Sequence, residues 1–209
     1  MKKAVEIITI DPIHPEKAFA RCREIVSSGG AIAYPTDTFY GLGVDPSNPA
    51  AVRRLFEIKK RQPDQPLLLL LADPGDVREW AEEIPPQAED LMKRCWPGPL
   101  TLVFRAKARL SAELTAGTGT IGLRVPGNEQ TRALLRFLGH GLTGTSANIS
   151  GRPSPVTAQD TACAVDDQVD LILDGGRTAG GMPSTVVAVT SGRPRVLREG
   201  AIPASVIME

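Results

Sequence analysis

Aromatic residues are scarce in this chain of 209 residues, at 4%, and histidine occurs only twice. The three cysteines, Cys22, Cys95 and Cys163, are odd in number and far apart. No pair of them has metal-ligand spacing, and neither His14 nor His140 has a Cys or His neighbour at that spacing. This argues against a structural metal and against a disulfide framework. Cys22 instead shares a helical face with Phe19 and Val26, which suits core packing. Net charge is absent as well, 24 Lys and Arg balancing 24 Asp and Glu. Proteins that live on nucleic acid carry a basic excess and aromatic platforms, so at most a weak, transient RNA contact is expected. The longest apolar run, "PLLLLLA" from Pro66 to Ala72, is far short of the ~20 residues of a membrane helix. The N-terminus "MKKAVEIITIDP" begins like a signal peptide, but Glu6, Asp11 and Pro12 interrupt it. It reads as a first strand, and the expectation is a cytoplasmic protein with no membrane contact.

Familiar nucleotide and hydrolase signatures are missing too. No G-x-x-x-x-G-K-[ST] run occurs. "GTGTIG" at Gly117–Gly122 has the letters of G-x-G-x-x-G, but it precedes the strand-like "LRVP" where the dinucleotide fingerprint needs a helix. "GTSAN" has Asn148 where a nucleophile elbow needs glycine.

What is present is an alternation of strands and helices suited to one domain. Residues 4–10 read as a strand, and a helix opens at His14-Pro15 and stops at Gly29-Gly30. "AIAYP" is a short buried strand. "PSNP" starts a second helix, with Asn48 as N-cap and Pro49 at its first position. "PLLLLL" is apolar on both faces, as in a sheet covered on two sides. Two short helical stretches, around 74–83 and 86–94, lead to "CWPGPL". Strands follow at "LTLVFRA" and "TIGLRVP", then a helix at "NEQTRALLRFLG", a strand running into a loop at "GLTGTSAN", and a weak helical segment near 157–166. "DLILDGG", "STVVAVT" and "PRVLRE" complete the chain as strands that can pair as antiparallel neighbours. The whole predicts an α/β domain with a mixed sheet and packed helices.

Four stretches carry chemistry. "AIAYPTDTFYGLGVDPSNP" leaves the core at Tyr34-Pro35 and turns through Thr36, Asp37 and Thr38, with Gly41 and Gly43 close behind. In "TIGLRVP", period-two alternation puts Thr120, Gly122 and Arg124 on one face. The glycine leaves a gap beside a guanidinium that can grip a carboxylate bidentately. A salt bridge to an internal Asp or Glu explains the same pattern. In "VRRLFEIKKRQPDQPL", Lys59 extends the inward stripe of Val52, Leu55 and Phe56, and Arg61 stands where the helix should stop. Phosphate binding explains both cations, and so does a snorkelling lysine at a helix C-terminus. "LTGTSANISGRPS" offers Thr143, Thr145, Ser146, Asn148, Ser150 and Ser154, either as a phosphate-binding loop or as an ordinary turn-rich connection. Ser184 opens a strand after glycines, and Arg198 ends the last one.

Together "YPTDTFYGLG", "IKKRQPDQPLLLLL", "WPGPLTLV", "TIGLRVP", "TSANISG", "STVVAV" and "VLREGAI" resemble, in order, the YrdC-like threonylcarbamoyl-AMP synthases. The resemblance runs from about residue 17 to residue 202, and the expectation is a single YrdC-like domain over 1–209. It implies a twisted sheet of mixed parallel and antiparallel strands, with flanking helices, around a concave cavity. The implied activity is that of a nucleotidyltransferase. L-threonine, bicarbonate or carbon dioxide, and ATP with Mg2+ give threonylcarbamoyl-adenylate and pyrophosphate, and a partner complex passes the threonylcarbamoyl group to tRNA. By the resemblance Thr36, Arg124, Gly144 and Ser184 contact threonine. Lys59 and Arg61 meet the ATP phosphates as the catalytic cations. Thr120, Ser146, Asn148, Ser154 and Arg198 complete the ATP cradle, and no metal is held by the protein alone. The expected form is the short one, without the further C-terminal domain of longer members. It also departs at Leu70, where some longer members have histidine, and at Lys60, often glycine in relatives. The competing readings are a non-catalytic double-stranded RNA or nucleotide-binding module, the carbamoyl-adenylate chemistry of hydrogenase maturation, and a paralogue of the same fold using another acceptor.

Overall fold

Period-two apolar runs become strands and 3.6-period stretches become helices along most of the chain. The computed structural model describes residues 5–60, 67–165 and 168–208. The first half contains β1 (Glu6–Thr9), α1 (Glu16–Ser27), β2 (Ile32–Tyr34), β3 (Gly41–Gly43), α2 (Pro49–Lys59) and β4 (Leu68–Leu70). A 3-10 turn (Pro74–Asp76) runs into α3 (Val77–Trp80), followed by α4 (Pro86–Cys95), β5 (Leu100–Arg105) and α5 (Ala112–Thr115). Next come β6 (Thr120–Arg124), α6 (Glu129–Leu138), β7 (Leu142–Thr143), β8 (Thr145–Ser146) and α7 (Ala158–Val165). The chain closes with β9 (Leu171–Asp174), β10 (Thr185–Ala188), β11 (Arg195–Arg198) and α8 (Ala204–Met208). Among the described residues no helix is long and apolar enough to cross a membrane.

The strands form two mixed sheets, ordered β1-β9-β2-β3-β8 and β11-β10-β5-β6-β4-β7. Strand alternation sorts their side chains into two cores. Ile32, Tyr34, Leu171 and Leu173 pack under α1 and α6, with Cys22, Phe19 and Val26 in that cluster as expected. Ala33 and Ile172 point the other way, into the larger core with Leu69, Leu71, Leu102, Leu123 and Val187. "PLLLLL" is therefore apolar on both faces because Leu69 and Leu70 enter different clusters.

Some pairings differ from the sequence reading. β10 and β11 are antiparallel neighbours, but β9 inserts between β1 and β2, parallel to both, in the other sheet. An ion pair anchors this placement: Asp170 accepts from the Ala31 N–H at 2.8 Å and pairs with Arg54 on α2. Gly41 and Gly43 lie in a strand, β3, where the sequence reading assigned no element. A Cβ at Gly43 would stand 2.6 Å from the Tyr34 ring, so only glycine lets β3 lie this close to that side chain. The short helices α5 and α8 carry too little periodicity to be anticipated.

β7 and β8 join the two sheets. β7 pairs with β4 in one sheet and β8 with β3 in the other, and only Gly144 separates them. A Cβ there would meet Leu70 Cγ at 2.7 Å, so the crossing needs glycine. The cleft between the sheets opens at this crossing.

Candidate active site

One face of the second sheet forms the floor of the cleft. Leu68 and Leu70 of β4, Gly122 and Arg124 of β6, Thr101 and Val103 of β5, and Val186 of β10 all line it. Their odd-numbered or even-numbered neighbours go to the core, as period two dictates. Gly122 sits between Leu68 and Val103 in register and makes a dip in this floor. The opposite wall is the β2–β3 connection, which supplies Thr36, Thr38, Phe39 and Tyr40, and the segment from Gly144 to Ser154. The cleft has a volume of about 550 Å³, within the range of small-molecule sites.

Lys59 and Arg124 both line this cleft, and both are buried, at 3% exposure. Lys59 is the last residue of α2, whose first turn is capped by the Asn48 side chain accepting from Ala50 and Ala51 N–H groups. Lys60 then turns the chain at φ 47°, the left-handed conformation that glycine adopts with least strain. The Lys59 ammonium donates to the Ser146 carbonyl at 2.5 Å and to Asn148 Oδ1 at 2.9 Å. Ser146 Oγ donates to the same Asn148 oxygen at 2.6 Å, and the Ser150 N–H caps the Lys59 carbonyl.

Arg124 makes the internal salt bridge that one of its two sequence readings allowed, and it does so from the cleft floor. It pairs with Asp37 at 2.5 Å. Its Nε donates to the Gly98 carbonyl at 3.0 Å. Thr36 Oγ1 donates to the Phe39 carbonyl at 2.7 Å and accepts from the Thr38 N–H at 3.1 Å, which fixes the turn. Ser184 Oγ lies 2.9 Å from Thr101 Oγ1, and Arg198 Nη2 donates to the Ser184 carbonyl at 2.8 Å. The Arg198 side chain reaches solvent, but its guanidinium end is partly desolvated. That burial, reinforced by the nearby Arg124 charge, lowers its pKa below the usual arginine value.

The cleft thus brings together Thr36, Lys59, Arg124, Gly144, Ser146, Asn148, Ser154, Ser184 and Arg198. Arg61 lies outside the described residues. Thr120 is not in the lining. It starts β6, four residues before Arg124, and its hydroxyl is 2.8 Å from that of Thr118. Gly144 lines the cleft, but its N–H already donates to the Leu68 carbonyl at 2.7 Å, so a ligand cannot take that group without breaking the crossing. Two functional candidates escaped the sequence reading. Thr101 is a buried hydroxyl in the otherwise apolar "LTLVFRA", a signal that was available; Asp37 sits beside residues already chosen, but its partner is 87 positions away.

Comparison with known proteins identifies the family and the fold. The Sua5/YciO/YrdC family model, described as "Telomere recombination", matches residues 24–200. A threonylcarbamoyl-AMP synthase of Pyrococcus abyssi (strain GE5 / Orsay) is 39% identical over 178 residues, which are 85% of this chain and 52% of that protein. One from Bacillus subtilis (strain 168) is 37% identical over 198 residues, 94% of this chain and 56% of that protein. The crystal structure of P. abyssi Sua5 complexed with L-threonine superposes with a TM-score of 0.91 at 37% identity, over 96% of this chain and 59% of that one. The chain spans little more than half the length of these relatives.

Proposed function

The chain belongs to the Sua5/YciO/YrdC family, and on that premise we propose that it is a threonylcarbamoyl-AMP synthase. It joins L-threonine, bicarbonate or carbon dioxide, and ATP into threonylcarbamoyl-adenylate and pyrophosphate. The observation that carries the reading is that Arg124 and Lys59 open into one cleft. Had they faced separate surfaces, an amino acid and a triphosphate could not meet. Two relatives named for this activity, and one bound to L-threonine, support it.

In this reading the threonine carboxylate binds Arg124, over the dip at Gly122, with the hydroxyls of Thr36 and Ser184 alongside. The triphosphate lies toward Lys59, Ser146, Asn148 and Ser154, with Arg61 assigned to it from sequence alone. Arg198, bonded to Ser184, stands at the junction of the two ligands. The threonine amine and bicarbonate form a carbamate with loss of water. A carbamate oxygen then attacks the α-phosphorus, and the bond to the β-phosphate breaks to release pyrophosphate. The contribution of the protein is to hold two anions together and to offset developing charge with fixed cations. The described lining carries hydroxyls, an amide and cations but no carboxylate. That donor set suits Mg2+ arriving on the triphosphate, ligated by phosphate oxygens and water. The product is an activated acyl donor, and a tRNA threonylcarbamoyl-transfer complex is its proposed consumer, in the cytoplasm.

The test is pyrophosphate release with ATP and bicarbonate, with and without L-threonine. Stimulation by L-threonine alone among amino acids is the expected result. Release that ignores L-threonine, or that responds to a different amino acid, would remove the substrate assignment.

A further inference from the structure

Asp37 does not line the cleft, yet it holds Arg124, which does. Its Oδ1 accepts from Arg124 Nη2 at 2.5 Å, with the two side chains 17% and 4% exposed. Gly98 O accepts from Arg124 Nε at 3.0 Å. Nε and Nη2 form one edge of the planar guanidinium, so both anchors grip that edge. Among the described residues none accepts a bond from Nη1. Asp37 is itself fixed. The turn that carries it is tied at one end by Thr131 Oγ1 donating to the Pro35 carbonyl, and at the other by Gly180 N–H donating to the Thr38 carbonyl. Its carboxylate also lies so close to Gly127 that a Cβ there would be 3.1 Å from Oδ2.

If charge alone mattered, an aspartate beside an anion-binding arginine would be a defect, since it opposes the arriving carboxylate. Its presence argues for geometry. An arginine with free torsions must give up rotamer freedom when it grips a ligand, and one already clamped has lost that freedom on folding. We propose that Asp37 is a positioning residue for amino-acid recognition. With the Gly98 carbonyl it clamps the Nε–Nη2 edge of Arg124, so that the Nη1 end is presented to the substrate carboxylate. The inference rests on reading this cleft as the amino-acid site.

Calorimetric titration of L-threonine and, separately, of a non-hydrolysable ATP analogue tests it, on the wild type and on Asp37→Ala and Asp37→Asn. The Ala variant is expected to bind L-threonine roughly ten-fold more weakly, because a bidentate arginine–carboxylate pair tolerates little misplacement. ATP-analogue affinity should stay within about two-fold, since those contacts lie toward Lys59. Asn keeps an oxygen for Nη2 but loses the charge assistance, so it should fall between Ala and wild type. It also carries the test if the Ala variant does not fold. A folded variant that binds L-threonine like the wild type, or that weakens both ligands equally, overturns the positioning role. A wild type that binds no L-threonine overturns the functional reading itself, and the inference with it.

Discussion

The ammonium of Lys59 stands 2.9 Å from Asn148 Oδ1, so the last residue of α2 meets the loop after β8 inside the cleft. Lys59→Met keeps most of the apolar stem and removes the charge. If this cation offsets phosphate charge in the transition state, pyrophosphate release should fall by about 10²–10³-fold, the usual loss for one such donor. The fold should survive. Taking the charged donor from the Ser146 carbonyl and Asn148 Oδ1 costs about 1–3 kcal/mol for each acceptor, several degrees of melting temperature that a domain of this size can bear. Full turnover in the variant would refute the phosphate role.

Two glycines at the cleft should fail in opposite ways. A Cβ at Gly122 would meet nothing nearer than Thr101 Cγ2 at 3.4 Å, so the sheet can accept a small side chain there. Gly122→Ala puts a methyl into the dip beside Arg124 and should weaken L-threonine binding sharply while the melting temperature changes by only a few degrees, about 1 kcal/mol or less. Gly144→Ala drives its new methyl into Leu70, which is buried, and the overpacking should cost about 1–3 kcal/mol. Thermal melts with parallel threonine titrations separate the two. Equal losses of stability would refute the contrast.

These predictions show where the sequence was legible. The gap at Gly122 beside Arg124 could be read because period two holds along β6. Lys59 could be read because it stands at i+4 and i+7 from Leu55 and Val52. The Asn48 cap could be read because its partners are two and three residues away. What could not be read is pairing at a distance. Nothing local to "DLILDGG" says that β9 lies between β1 and β2, because that choice depends on Asp170 meeting Ala31 and Arg54 across more than a hundred residues. The division into two sheets is of the same kind. It turns on Gly144, whose role appears only once Leu70 is beside it.

The three cysteines should separate by environment. Cys163 is exposed, Cys95 intermediate and Cys22 fully buried. Burial pushes the Cys22 thiol up to about 12. A thiol reagent at pH 8 should therefore find Cys163 fast, Cys95 slowly and Cys22 only after unfolding. The same shift makes stability pH-dependent. Below about pH 8.5 both folded and unfolded forms keep the proton, and the contribution is whole. Above it the unfolded chain ionises while the folded thiol does not, so stability falls as pH rises toward 12. This group alone should lower it by about 2 kcal/mol at pH 10. Urea melts at the two pH values, repeated on Cys22→Ala, check this. An unchanged slope in that variant would refute the assignment.

Thr101 is the hydroxyl that holds Ser184. The two oxygens are 2.9 Å apart, both residues are buried, and the Ser184 carbonyl also receives Arg198. Thr101→Val keeps the β-branched shape that a strand prefers and deletes only the hydroxyl. Ser184 is then free to rotate away from the amino acid. Losing one orienting hydrogen bond of about 1 kcal/mol should raise the KM for L-threonine about five-fold and leave the KM for ATP unchanged. Because Thr101 acts through Ser184, the substitution should add little once Ser184→Ala is present, a non-additivity that a double-mutant cycle measures directly. Additive losses would mean that Thr101 touches the substrate itself, and an unchanged KM would mean that Ser184 needs no such partner.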